Sequence, residues 1–250
     1  MAKTTPRYTH TSIHNYSAAE QVVPFLLDNF DLKSVVDVGC GTGTWLKVFQ
    51  QNGVQDIFGI DGTYVDTTTL HIDSQYFQHY DLETPYVGVK KFDMAISLEV
   101  AEHLIESSAD TFIKSVTGLS DLILFSAAIP RQGGQNHLNE QPPLYWIKKF
   151  ENAGFTAYDV VRPAFWENQQ VEWWYRQNMI LFSKNIDLSK KLSSMPSFFN
   201  AHLVHHQLLQ LKEGELDSIS RFRKPLAYYL ELFQSALASK LKNKFSPKPR

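Results

Sequence analysis

The chain has 250 residues, enough for one large domain or a domain with an appendage, and 43% hydrophobic with 20% charged residues is ordinary for a soluble globular protein. A formal net charge of -2 gives no sign of a nucleic-acid binder, and the lone Cys40 excludes an internal disulfide and a multi-cysteine metal site. No apolar stretch approaches the ~20 residues needed to cross a bilayer, and the N-terminal MAKTTPRYTHTSIHNYS lacks the apolar centre of a signal peptide, so a cytoplasmic location is expected.

Apolar runs alternate with helix-like stretches up to residue 184. AAEQVVPFLLDNF (18–30) reads as a helix interrupted near Pro24, SVVDVG (34–39) as a short buried strand, and GTWLKVFQQNG (43–53) as a helix closed by Gly53. DIFGID (56–61), FQHYDL (77–82) and FDMAISLE (92–99) are the next strands. One or two helices in VAEHLIESSADTFIKSVTG (100–118) precede a further strand, DLILFSAAI (121–129). PLYWIKKFENAG (143–154) reads as a helix ending at Gly154, and FTAYDVV with QNMILFSK as two strands with no helix between them. The pattern predicts an α/β fold, a seven-stranded, mostly parallel sheet covered on both faces, its last strand antiparallel in an edge hairpin. Residues 185–250 are expected to form a helical extension to the domain of residues 1–184, with Leu226, Leu230, Phe233 and Leu237 on one stripe that caps the domain or pairs two copies as a homodimer. Lys240, Lys242, Lys244, Lys248 and Arg250 read as a solvated tail.

VVDVGCGTGTW (35–45) packs three glycines into five positions directly after the first strand. Gly39, Gly41 and Gly43 permit dihedrals that other residues resist, and the following helix turns its amides toward a ligand lying on bare main chain. A dinucleotide fingerprint needs Gly or Ala at the sixth position from Gly39, where this chain has Thr44. Asp61 ends the second strand, where an acid can accept hydrogen bonds from ribose hydroxyls. Cys40 reads as a small packed residue rather than a nucleophile.

The spacing DxGxGxG, with Asp37 two residues before Gly39, resembles the first motif of class I S-adenosylmethionine-dependent methyltransferases. That resemblance implies a Rossmann-like fold, S-adenosylmethionine as cofactor and S-adenosylhomocysteine as product. It places Asp61 and Gly62 at the ribose, Asp81 and Leu82 at the adenine, and Leu98, Glu99 and His103 of SLEVAEHL beside the cofactor. HNYSAAEQVVP, IDGTYVD, the run from Phe125 to Phe155 and VEWWYRQNMILFSK are similar to a subgroup associated with bacterial surface polysaccharides, and His14 is expected to fold over the cofactor. The implied acceptor is a hydroxyl of a sugar, a sugar nucleotide or a decorated glycan. Arg131 stands where that pattern has glycine.

Transfer to a hydroxyl benefits from a base, and imidazole is the side chain that titrates nearest neutrality. The loop PRQGGQNHLNEQPP leaves the catalytic rim, which makes His137 the first choice as base, His103 the weaker one, with Glu140 or Asn139 orienting it or holding a sugar hydroxyl. Gln132 in the same loop and Trp166, Trp173, Tyr175 and Arg176 in RPAFWENQQVEWWYRQN are expected at the acceptor, the rings against sugar faces and Arg176 on a phosphate or an internal acid. His137 and Glu140 supply two ligands three apart, too few for a metal site, and none is expected. A cofactor-binding protein without chemistry is the competing reading.

Overall fold

The computed structural model describes residues 16–185, 188 and 203–245. The element order is α1 (Ser17–Asn29), β1 (Ser34–Val38), α2 (Thr44–Gln51), β2 (Asp56–Asp61), β3 (Phe77–His79), β4 (Met94–Leu98), α3 (Ala109–Leu119), β5 (Leu122–Ser126), α4 (Pro143–Asn152), β6 (Thr156–Tyr158), α5 (Val161–Phe165), α6 (Trp173–Asn178) and β7 (Ile180–Ser183). These strands form one sheet of order β3-β2-β1-β4-β5-β7-β6. Strands β1 to β5 pair in parallel, and β7 runs antiparallel between β5 and β6, as expected from the sequence.

Side chains alternate across a strand, so a strand buried on both faces must be apolar at every position. Val35 enters one core layer with Leu26, Leu46, Phe49 and Ile57, while Val36 enters the other with Phe112, Val116 and Phe150. β4 and β5 repeat the pattern, with Met94 and Leu124 on the first face and Ala95 and Ile123 on the second. The order reverses between β1 and β4, which opens a crevice at the carboxyl ends of those two strands, the place where open α/β sheets bind ligands.

Three local expectations are corrected. Helix α1 continues through Pro24, because the buried face of Val22, Val23 and Leu26 holds the turns on either side of the missing N–H. β6 and β7 do pair antiparallel, but two short helices, α5 and α6, fill the connection that was read as helix-free. The buried Arg162 in α5 donates from Nε to Asp159 Oδ1 at 2.7 Å, which fixes the first of those helices against the end of β6. The expected helix after β4 begins as two single 3-10 turns, Ala101–His103 and Glu106–Ser108, before α3.

The chain divides into two compact units between His205 and His206. His205 stays with the first unit because its N–H donates to Gln177 Oε1 at 2.8 Å. The second unit contains α7 (His206–Ser220) and α8 (Leu226–Phe245). Leu226, Leu230, Phe233 and Leu237 lie exposed on α8. Among the described residues, no helix is long and apolar enough to cross a membrane.

Candidate active site

The glycine turn leaves β1 at the crevice, and its three glycines take left-handed conformations, with φ of 89° at Gly39, 54° at Gly41 and 80° at Gly43. A β-carbon on Gly39 would stand 2.3 Å from Val100 Cγ2, and one on Gly43 would stand 2.9 Å from Ile72 Cγ1. At these two positions the excluding neighbour is the protein itself. Cys40 is buried and its sulfur packs against Gly59, as its reading as a packed residue requires.

Carboxylates surround this turn. Asp37 is the penultimate residue of β1, at 3% exposure, and Asp61 ends β2 at 2%. Burial, with Asp61 beside it, holds Asp37 well above the usual carboxylate range. Burial raises Asp61 too, against hydrogen bonds from Tyr64, Gly41 and Gly62. Asp61 Oδ2 accepts the Gly41 N–H at 2.6 Å, while Oδ1 accepts the Gly62 N–H at 2.6 Å and the Tyr64 hydroxyl. Tyr64 was not singled out in the sequence, yet its ring lies across Gly62 and its hydroxyl uses acceptor capacity expected for a ribose. Asp81 lies exposed beyond β3 and accepts from Glu83 N–H at 3.1 Å, and Leu82 next to it is buried.

After β4, Glu99 adopts φ 56°, a strained conformation for a residue with a side chain, and turns its carboxylate into a net of amides. Oε2 accepts from Gln132 Nε2 at 2.8 Å and Oε1 from Asn178 Nδ2 at 3.0 Å. Gln132 Oε1 in turn accepts from Asn178 Nδ2 at 2.9 Å and Gln177 Nε2 at 3.2 Å, so the amides of α6 are part of the site, which sequence reasoning missed. Burial raises the pKa of Glu99 against these bonds. Tyr175 meets Trp45 edge to face with centroids 5.5 Å apart, and burial and then Glu99 push its phenol upward. Leu98 is buried beside Glu99.

The loop after β5 folds back over the turn at residues 101–103. Glu102 O accepts the N–H groups of Leu138 at 2.7 Å and Asn139 at 2.9 Å. Glu140 orders the loop from within, accepting from Arg131 N–H at 2.6 Å, Gly133 N–H at 2.9 Å and His137 Nδ1 at 2.9 Å. Burial raises the Glu140 pKa, but those three bonds outweigh it and the carboxyl lies below its usual value. Arg131 takes φ 69°, which accounts for glycine at this point in the pattern it departs from. The rings of His103 and His137 meet edge to face at 4.9 Å. Burial and His137 lower the His103 pKa to about 4. Glu102, which carried no role in the sequence reading, is fully buried; burial and then Glu99 raise its carboxyl well above the usual range, and no side chain donates to its oxygens, which only the backbone N–H groups of Glu102 and Ala128 approach.

The remaining expected residues lie nearby or apart. Asn139 is buried, its Oδ1 accepting from Gln141 Nε2 at 2.8 Å. Trp166, just after α5, and Trp173 and Tyr175, in α6, are half-buried in the connection between β6 and β7. Arg176 is buried and donates from Nη1 to Trp166 O at 3.0 Å, which closes that connection on itself. His14 lies outside the described residues.

A family model described as a methyltransferase domain matches residues 10–115. The protein has the fold of S-adenosylmethionine-dependent methyltransferases. The magnesium protoporphyrin IX methyltransferase of Synechocystis PCC 6803 with bound S-adenosylhomocysteine is similar at 17% identity and a TM-score of 0.51, over 69% of this chain and 84% of that one. The same enzyme with S-adenosylmethionine gives 18%, 0.49, 69% and 81%. Human N-acetylserotonin methyltransferase with S-adenosylmethionine gives 17%, 0.47, 68% and 55%. A comparison with curated proteins gave no match.

The domain match implies S-adenosylmethionine as cofactor, and the chemistry of the crevice fits it. Asp37, Asp61 and Glu99 are acids withdrawn from water, and among the described residues no lysine or arginine forms an ion pair with any of them. Buried charge without a counter-ion is costly, so a ligand carrying a sulfonium and an ammonium group offsets what the protein leaves uncompensated.

Proposed function

We propose that the protein is an O-methyltransferase acting on a hydroxyl of a sugar, a sugar nucleotide or a decorated surface glycan of the capsule or lipopolysaccharide kind. The observation that carries transfer to oxygen is the His137 to Glu140 pair. Glu140 holds Nδ1 of the imidazole at 2.9 Å, which fixes the ring and leaves Nε2 to take a proton. The carbohydrate part rests on the sequence resemblance of residues 125–155 and 171–184 and on three half-buried rings, Trp166, Trp173 and Tyr175, that offer flat apolar faces.

In this reading the turn at Gly39 and Gly41 and the acids Asp37 and Asp61 hold the cofactor's amino-acid and ribose parts, and Asp81 with Leu82 holds its adenine. Bound there, S-adenosylmethionine supplies a methyl group already activated by positive charge, so orientation carries most of the rate. The amide net of Glu99, Gln132, Gln177 and Asn178 keeps the acceptor side of the crevice rigid. His137 receives the proton of the acceptor hydroxyl. A sugar nucleotide as acceptor agrees with a cytoplasmic enzyme, and the exposed stripe on α8 agrees with pairing of two copies.

Incubation of the protein with methyl-labelled S-adenosylmethionine and a panel of free sugars, sugar nucleotides and glycans tests the proposal. Label is expected on a hydroxyl, and His137→Ala is expected to lower turnover by about 10²–10⁴-fold, the usual range for a general base, with little change in cofactor affinity. Cofactor binding without transfer to any member of the panel would overturn the proposal.

A further inference from the structure

We infer that Glu102, His103 and His137 form a binding site for one divalent first-row transition-metal ion beside the acceptor. The inference starts from Glu102. Its side chain is fully buried, no side chain donates to either carboxylate oxygen, and only the backbone N–H groups of Glu102 and Ala128 approach them. Such a group is expensive wherever it stands. A cation offsets that cost.

The neighbours of Glu102 are those a cation would need. One ligand atom from each of Glu102, His103 and His137 can be chosen so that all three lie within 4.8 Å of one another. An ion with bonds of about 2.1 Å draws such atoms to about 3.0–3.4 Å apart. Both imidazoles are set in the right tautomer. His137 presents Nδ1 to Glu140 Oε1 at 2.9 Å, and His103 presents Nδ1 to Asn136 O at 3.4 Å. Each oxygen requires the proton on Nδ1, so the lone pair resides on Nε2. Metal-binding histidines show this arrangement, with the second nitrogen held by a carboxylate or a backbone carbonyl.

The backbone holds the three together independently of their side chains. Glu102 O receives the N–H groups of Leu138 and Asn139, which fastens the His137 loop to the turn bearing Glu102 and His103. Gly134 permits the same approach from the other side, since a β-carbon there would stand 2.2 Å from His137 Nε2. Two imidazoles with one carboxylate suit ions of the iron, cobalt and zinc type rather than calcium or magnesium. Three protein ligands also leave coordination positions open for oxygen atoms of an acceptor.

This inference rests on the reading of the site as a hydroxyl methyltransferase only for its acceptor, and it revises one part of that reading. With the ion bound, His137 Nε2 is a ligand. The acceptor hydroxyl then loses its proton to solvent water as the new O–C bond forms and the C–S bond breaks with its electron pair on sulfur.

Full-length protein stripped with a chelator and titrated with Co2+, followed by visible absorption and calorimetry, tests the site. One equivalent per chain is expected, with a ligand-field spectrum that shows nitrogen ligation. His103→Ala and Glu102→Gln are each expected to weaken Co2+ binding at least tenfold, and Glu140→Gln to weaken it about 10–100-fold through His137. Glu102→Gln nearly preserves shape, and its melting curve without metal checks that the fold is retained. Failure of the wild type to bind Co2+, Mn2+ or Zn2+, or binding that survives both His103→Ala and Glu102→Gln, overturns the site. If the metal-free protein still methylates a hydroxyl at full rate, the ion's place at the acceptor is refuted while the transferase reading stands. Tight, variant-sensitive metal binding without any methyl transfer supports the site and removes the transferase reading.

Discussion

Gly39→Ala separates what the glycine turn does for the protein from what it does for a ligand. The added methyl group would stand 2.3 Å from Val100 Cγ2 and 2.6 Å from Val100 Cγ1, and the backbone would keep φ near 89°. A left-handed conformation costs an L-residue roughly 1–2 kcal/mol, and forcing a methyl into a packed core costs about 1–3 kcal/mol. The reduced freedom of the unfolded chain returns roughly 0.4–1 kcal/mol. The net destabilisation is about 1–4.6 kcal/mol, a fall in melting temperature of about 2–18 °C for a domain of this size. Circular dichroism of the ligand-free protein measures it. Val100→Ala removes both clashing methyl groups and leaves Val100 Cβ at 3.0 Å from the new carbon. The double variant should therefore recover about 1–3 kcal/mol relative to the sum of the single changes. An unchanged melting temperature in Gly39→Ala, with cofactor binding lost, would refute the argument and show that only a ligand keeps this position bare.

Three further outcomes follow from the same acids and their neighbours. Asp37 has a folded pKa above its unfolded one, so the native state binds more protons in that interval and stability falls as pH rises from the ordinary carboxylate range toward the raised value. Melting temperature against pH should decline more steeply in this window for the wild type than for Asp37→Asn, and parallel curves would contradict it. Tyr64→Phe removes the hydroxyl that donates to Asp61 Oδ1 and should tighten cofactor binding about fivefold, for a competing bond worth roughly 1 kcal/mol; weaker binding by calorimetry would show that Tyr64 supports the site instead. Arg162→Met leaves Asp159 buried without its partner and should lower stability by about 3–5 kcal/mol in urea denaturation, and a midpoint near that of the wild type would show that the pair contributes nothing.

The sheet was legible because burial on both faces writes continuous apolar runs, and β2 begins and ends where DIFGID does. The glycine turn was legible for a similar reason, since three left-handed residues in five can hardly be anything but glycine. The connection between β6 and β7 was not. The six residues of α6, WWYRQN, are too few to display helical periodicity, and their rings favour strands, yet the amides of Gln177 and Asn178 bind Gln132 and hold the segment helical.

Glu102 was hidden by a different cause. Within SLEVAEHL it looks like any charged residue early in a helix, where solvent exposure is the default. Its burial comes from a loop that arrives 36 positions later and closes on its carbonyl through Leu138 and Asn139. Nothing in the local spacing announces that closure. His137 was found as a single residue with a role of its own, and the same closure is what brings its ring against His103, beside a buried carboxylate to which no side chain donates. The chemistry of the site therefore depends on a contact between two loops, each of which reads in isolation as half of something simpler.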